Sequence, residues 1–401
     1  MNRLFTMLSA VLLIGAYSTC FAGLTDKASS TPSASESLVK GNSSFAVKLY
    51  NELGAAEGNL FFSPYSISSA LGMTYAGARG NTAKEMKETL DFTLDQTSLH
   101  PAFKTLNREL AASASKTGQK LNIANGLVLT GSNVSPQFKA ILKDNYAAQI
   151  FRGGLAEINS WVKRKTEGKI DKILEELSPN SVCVLLNAIY FKGVWESQFK
   201  KSDTHEAPFK VSAGRQLKVP LMYQEGSFRI ISGEDFQAIS LPYKGNKLSM
   251  VVLLPDNVEG LAALEKQLDD QKLAGWLDRL DKQRPRKVFL FLPKFKLETG
   301  YDLVGPCRKM GMKDAFMAGI ADFRGMGWPR GDLWISQIKH KAVVEVNEEG
   351  TEAAAATAVE MATKSAHRDL VFRADHPFMF MIRDNKSGAI LFMGRMVNPG
   401  K

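Results

Sequence analysis

Acid–base, nucleophilic and metal-binding side chains are few and scattered in this chain. It has five histidines and three cysteines in 401 residues. There is no nucleophile elbow, no phosphate-cradling glycine loop, no His-Glu-X-X-His and no Cys-X-X-Cys. No histidine or cysteine spacing suits a metal, and no basic–aromatic interleaving suits nucleic acid. An enzyme has little to stand on, and neither cofactor nor metal is expected. The orderly segment runs from Glu345 to Ser365. At period 2, Thr351, Ala353, Ala355, Thr357, Val359 and Met361 share one face, with Glu352, Ala354, Ala356, Ala358, Glu360 and Ala362 on the other. A strand this free of bulk can slide between two others. An alanine-rich helix or linker is the competing reading.

The flanking segments must decide between them. Leu121–Leu129 alternates partially, and Val182–Trp195 is a near-continuous apolar run suited to a strand buried on both faces. His340–Val346 alternates again. Phe61-Phe62 predicts a short buried strand, Ser63 a helix cap, and Pro64 the first helical residue. The small residues beyond, among them Ser66, Ser69, Ala70 and Gly72, predict a helix packed tightly under something. Thr82 and Glu85 have capping-box spacing. Strands are expected at Phe228–Ile231, Ala238–Leu241, Leu248–Pro255 and Lys287–Phe295, with helix over Leu261–Leu277. Gly305-Pro306 is expected to break a helix over Asp302–Met312.

Glu348-Glu349-Gly350-Thr351-Glu352-Ala353 resembles the reactive-centre hinge of serpins. Asn59–Met73, Ala76–Met86, Asn187–Trp195, His340–Val346, Asp375–Phe380 and Ala389–Pro399 resemble further signatures of that family. The resemblance spans about Val39 to Pro399 and implies an α+β serpin fold: three β-sheets, about nine helices and an exposed reactive-centre loop at about 348–370. It makes Glu348, Gly350, Thr351, Glu352, Ala353, Ala354, Ala355 and Ala356 the hinge. Ser63, Ser66, Asn187 and His340 become the shutter through which the loop passes, with Trp195 at the breach where insertion begins. His340, taken alone, reads as a satisfied structural histidine. In the family the scissile bond follows the seventeenth residue from the first acidic one; from Glu348 that residue is Lys364 (364 − 348 + 1 = 17), before Ser365. One departure stands out: Phe151-Arg152-Gly153-Gly154 runs almost directly into Ile158-Asn159-Ser160-Trp161, where serpins have a linker of about ten residues.

The implied function is irreversible suicide-substrate inhibition of trypsin-like serine endopeptidases. The cleaved loop enters the central sheet and traps the acyl-enzyme, and Lys364 suits a primary pocket that presents a carboxylate. Arg368 is a secondary candidate site. From Thr351 to Ala358 there is no Pro, no cation and nothing bulky to oppose insertion. The alternative is a non-inhibitory serpin acting in storage, transport or chaperoning.

Residues 1–22, with Arg3 before an apolar Leu4–Ala16, read as a signal peptide too short to span a membrane. A secreted monomer with no membrane partner is expected, extracellular or, in a bacterium, periplasmic. Residues 23–40 read as a flexible Ser/Thr-rich leader and 41–401 as one domain. Without the signal, the formal charge falls from +10 to about +9 (10 − 1, for Arg3). That leaves room for weak polyanion or glycosaminoglycan binding, although Lys104, Arg108, Lys116 and Lys120 are thinly spaced. Two remaining cysteines make no disulfide framework, and Asn42 and Asn385 stand in Asn-X-Ser sequons.

Overall fold

Each segment's hydrophobic period sets how it lies against a six-stranded sheet and a second, continuous sheet system. The computed structural model describes residues 32–115, 118–129, 134–152, 154–177, 182–351 and 370–400. The chain begins α1 (Ala34–Gly54), β1 (Leu60–Phe62), α2 (Pro64–Tyr75), α3 (Gly80–Thr89), α4 (Gln96–Ser115), β2 (Lys120–Leu129), α5 (Pro136–Tyr146), β3 (Gln149–Phe151), α6 (Leu155–Lys165) and β4 (Cys183–Val194). Next come β5 (His205–Ser212), β6 (Arg215–Ser232), β7 (Phe236–Pro242), β8 (Leu248–Pro255), α7 (Leu261–Lys266), α8 (Asp270–Asp281), β9 (Arg286–Pro293), β10 (Phe295–Asp302) and α9 (Val304–Lys309). The chain ends with β11 (Gln337–Val346), β12 (Gly350–Thr351), β13 (Leu370–Arg373), β14 (Phe378–Asp384) and β15 (Ile390–Met396).

The six-stranded sheet has the order β10-β11-β4-β2-β3, with β12 against the end of β4. The long β6 bridges two others: its residues 215–228 pair with β5 and β9, while 229–232 pair with β7 in the sheet β1-β15-β14-β8-β7. Nine α-helices and two hydrogen-bonded sheet systems are thus present among the described residues, an α+β architecture in which the second and third of the three expected sheets are joined through β6 into one.

Strand β4 is the axis of the site. It runs parallel to β11 and antiparallel to β2, and its alternation separates two cores. Cys183, Leu185, Ile189 and Phe191 join the main core, while Val184, Leu186 and Ala188 join a smaller cluster with Ile158, Trp161 and Val162 of α6. All twelve residues of α2 are buried beneath the main-core face. Ser63 caps this helix, accepting from the Ser66 amide, and Pro64 starts it.

Local chemistry corrects several expectations. The leader does not run to residue 40: Ser33 and Glu36 form a reciprocal capping box, so α1 starts at Ala34 and buries Leu38 and Val39. Thr82 caps nothing; it lies within α3 and its hydroxyl accepts from the Asp322 amide. Glu85 instead accepts from the amides of Lys313 and Asp314. Pro306 does not break α9, because it sits in the first turn, where helix amides lack intrahelical partners anyway. The shortened segment before α6 gives a helix that opens at Gly154 with φ +88° and no side-chain cap. The signal-peptide reading of residues 1–22 lies outside the described residues.

Candidate functional site

Two polar clusters flank the β4–β11 junction. The first lies mid-sheet. The register sets Asn187 of β4 directly beside Asn125 of β2 and His340 of β11, so three polar side chains line up across adjacent strands on one face. The Ser63 amide donates to His340 Nε2 at 3.2 Å, which leaves the ring proton on Nδ1, 2.6 Å from Asn187 Oδ1. Asn187 Nδ2 lies 3.1 Å from the Ser66 carbonyl, 2.5 Å from its hydroxyl and 2.7 Å from Asn125 Oδ1. Asn125 Nδ2 in turn donates to Ser69 Oγ at 3.2 Å, and Ser63 Oγ to the Leu391 carbonyl at 2.5 Å. His340 is wholly buried, and that burial holds its pKa down to about 3, against a smaller upward pull from Asn187. The imidazole is therefore neutral at ordinary pH. This is a dry, uncharged lock across β2, β4, β11 and the helix below them.

The second cluster lies where β4 and β11 part. Their ladder ends at Tyr190 and Val343. Beyond it, Gly350 pairs with Val194 and Thr351 with Gly193, so two backbone residues of the expected hinge already run antiparallel along β4. Gly350 has φ +143°, and a Cβ there would stand 2.1 Å from the Gly193 carbonyl oxygen. Only glycine fits at this pivot. Glu348 and Glu349, just before it, are almost fully buried. Lys294 Nζ lies 2.9 Å from Glu348 Oε2, Thr204 donates to Glu348 Oε1 at 2.9 Å, and Lys201 pairs with Glu349 at 3.0 Å. Burial pushes the Glu348 carboxyl up, but Lys294 and Thr204 offset it and leave the group below its ordinary 4.5. Trp195 clamps the turn: its indole donates to the Asn347 carbonyl at 3.0 Å, its amide donates to the Glu349 carbonyl, and it stacks on Tyr243 at 4.6 Å.

The structure thus brings Ser63, Ser66, Asn187 and His340 together, and separately gathers Glu348, Gly350, Thr351 and Trp195. Glu352, Ala353, Ala354, Ala355, Ala356 and the Lys364–Ser365 bond lie outside the described residues. Sequence reading missed Asn125, Ser69, Thr204, Lys201 and Lys294. Asn125 carries a legible signal, since it shares the period-2 face of Ile123 and Leu127. Asn42 is buried, with its carbonyl oxygen accepting from Ser68, which withdraws it as a glycan acceptor. Among the described residues no three potential metal ligands cluster, and no helix is long and apolar enough to cross a membrane.

A family model described as serpin (serine protease inhibitor) matches residues 40–399. Serpin B6 of Macaca fascicularis is 41% identical over 381 residues, covering 90% of this chain and 99% of that protein. Leukocyte elastase inhibitor A of Rattus norvegicus is 40% identical over 384 residues, covering 91% and 100%. Among solved structures, the thermophilic serpin tengpin in its native state superposes with a TM-score of 0.83 at 31% identity, over 90% of this chain and 94% of that one. These comparisons correct the expected location. Serpin B6 and leukocyte elastase inhibitor are intracellular clade B serpins, so the secreted, extracellular assignment is withdrawn.

Proposed function

Because this chain belongs to the serpin family, described as serine protease inhibitors and not as catalysts, we propose that it is an irreversible suicide-substrate inhibitor of trypsin-like serine endopeptidases, cut at Lys364–Ser365. The protease serine attacks the Lys364 carbonyl, the Ser365 nitrogen leaves, and an ester joins Lys364 to the enzyme. Deacylation by water would free the protease; insertion of the loop must come first.

The observation that carries this reading is the pairing of Gly350 and Thr351 with β4. Continued in that register, residue 353 meets 191, 355 meets 189 and 357 meets 187. Thr351, Ala353, Ala355 and Thr357 then face the main core beside Phe191, Ile189 and Asn187. Glu352, Ala354, Ala356 and Ala358 face the α6 side, where small side chains pass beneath a covering helix. Insertion replaces one β4–β11 ladder with two, and each added backbone hydrogen bond contributes about 1 kcal/mol. Lys364, about fifteen residues from the pivot, is then carried roughly 50 Å. The Asn187–His340 bond must open for this to happen, which makes the mid-sheet lock a gate and the native state a kinetically held one.

Trypsin titration tests the reading. Inhibition predicts loss of trypsin activity at a stoichiometry near one, with cleaved protein melting well above the intact form. Cleavage with trypsin left active and the melting temperature unchanged would favour a carrier or storage role.

A further inference from the structure

Away from the gate, an open cleft of about 470 Å³ lies between α5, β3 and α6. Its charge is one-sided. Lys139 and Lys143, one turn apart on α5, line it together with Arg152 just after β3 and Lys165 at the end of α6, and no carboxylate does. Lys139, Lys143 and Lys165 make no ion pair among the described residues, whereas the nearby Lys163 and Lys172 are paired with Asp171 and Glu175. Trp161, 5% exposed, lines the same cleft, and its indole Nε1 is buried without an acceptor. The benzo edge of Trp161 packs towards Gly126 and the ring makes a T-shaped contact with Phe151 at 5.0 Å, which fixes it in place.

We propose that this cleft binds a compact, multiply charged oxyanion, a phosphate or sulfate ester, through Lys139, Lys143, Arg152 and Lys165, against the wall that Trp161 provides. The volume lies within the range of small-ligand sites, and converging cations are the usual device for phosphate and sulfate groups. The site is separate from the α4 lysine and arginine set and from both clusters at the β4–β11 junction. It does not depend on protease inhibition.

Calorimetric titration of the full chain with inositol hexakisphosphate, and separately with sucrose octasulfate, in 0.15 M salt tests the site. The double variant Lys143→Ala/Lys165→Ala is compared with Lys266→Ala/Lys272→Ala, which removes the same charge from α7 and α8. Saturable binding weakened at least tenfold by the first pair, and within twofold of wild type for the second, supports the site. The tighter of the two probes names the ester class. Absence of saturable binding to either probe, or equal weakening by both pairs, overturns the proposal, since it would reduce the effect to net charge.

Discussion

The two clusters flanking the β4–β11 junction hold the same sheet by opposite means. At mid-sheet, Ser63, Asn187 and His340 form a buried, neutral network in which each member is satisfied by another. At the parted end, Glu348 and Glu349 are held by lysines that keep substantial contact with water, Lys294 at 37% and Lys201 at 72% exposure. The neutral lock resists opening because breaking it strands buried polar atoms. The charged end resists less, because each of its ion pairs keeps the lysine partner in water, where solvent and salt screen the attraction. In the proposed mechanism the sheet opens from the Gly350 end and is held at Asn187 until insertion drives it further.

The largest effect is expected at the lock. Asn187→Ala leaves His340 Nδ1 and the Ser66 groups unpaired and should destabilise the native state by about 2–4 kcal/mol in urea unfolding. A loss below about 0.5 kcal/mol would erase the distinction between the clusters. Acid should separate them next. His340 is depressed from 6.5 to about 3, so the unfolded state takes up its proton first. Stability should fall as pH drops from about 6.5 to about 3, with a slope of up to about 1.4 kcal/mol per pH unit from this residue. Glu348 is depressed from 4.5; its contribution is present above that value and is lost only below it. In stability–pH curves, His340→Gln should flatten the upper part of the fall and leave the lower part in place. A smaller effect follows from Gly350→Ala, whose Cβ meets the Gly193 carbonyl. Amide exchange should show lost protection of the 193–194/350–351 pairing at a cost of about 1–3 kcal/mol, with the Asn187–His340 ladder unchanged. Loss of protection across both would mean that the clusters act as one. The smallest change is expected for Lys294→Ala, about 1 kcal/mol, confined to pH above the Glu348 transition.

The lock was legible because its parts sit on period-2 faces and in motifs: Ser63 before Pro64, Asn187 within an apolar strand, His340 on an alternating one. Its reach to Asn125 and Ser69 was equally periodic, since a lone asparagine on the inward face of β2 needs a partner. The charged anchor was not legible. Thr204, Lys201 and Lys294 lie some 55–150 residues from Glu348 and Glu349 in sequence, and only the fold brings them together. Thr82 and Glu85 failed for a related reason: local spacing offers a cap, but tertiary partners at residues 313–322 compete for the same oxygens and win. The start of α1 was missed where local chemistry sufficed, in the Ser33–Glu36 box hidden by a Ser/Thr-rich composition.

Proposed inhibition turns on one step: the loop is cut after Lys364 and enters the sheet before the protease is released. Mixing the protein with trypsin, denaturing at once and weighing the products tests this directly. Inhibition by insertion predicts a covalent one-to-one adduct that survives denaturant, together with a released C-terminal peptide beginning at Ser365. A peptide beginning at Ser365 with free, active trypsin and no adduct would contradict it.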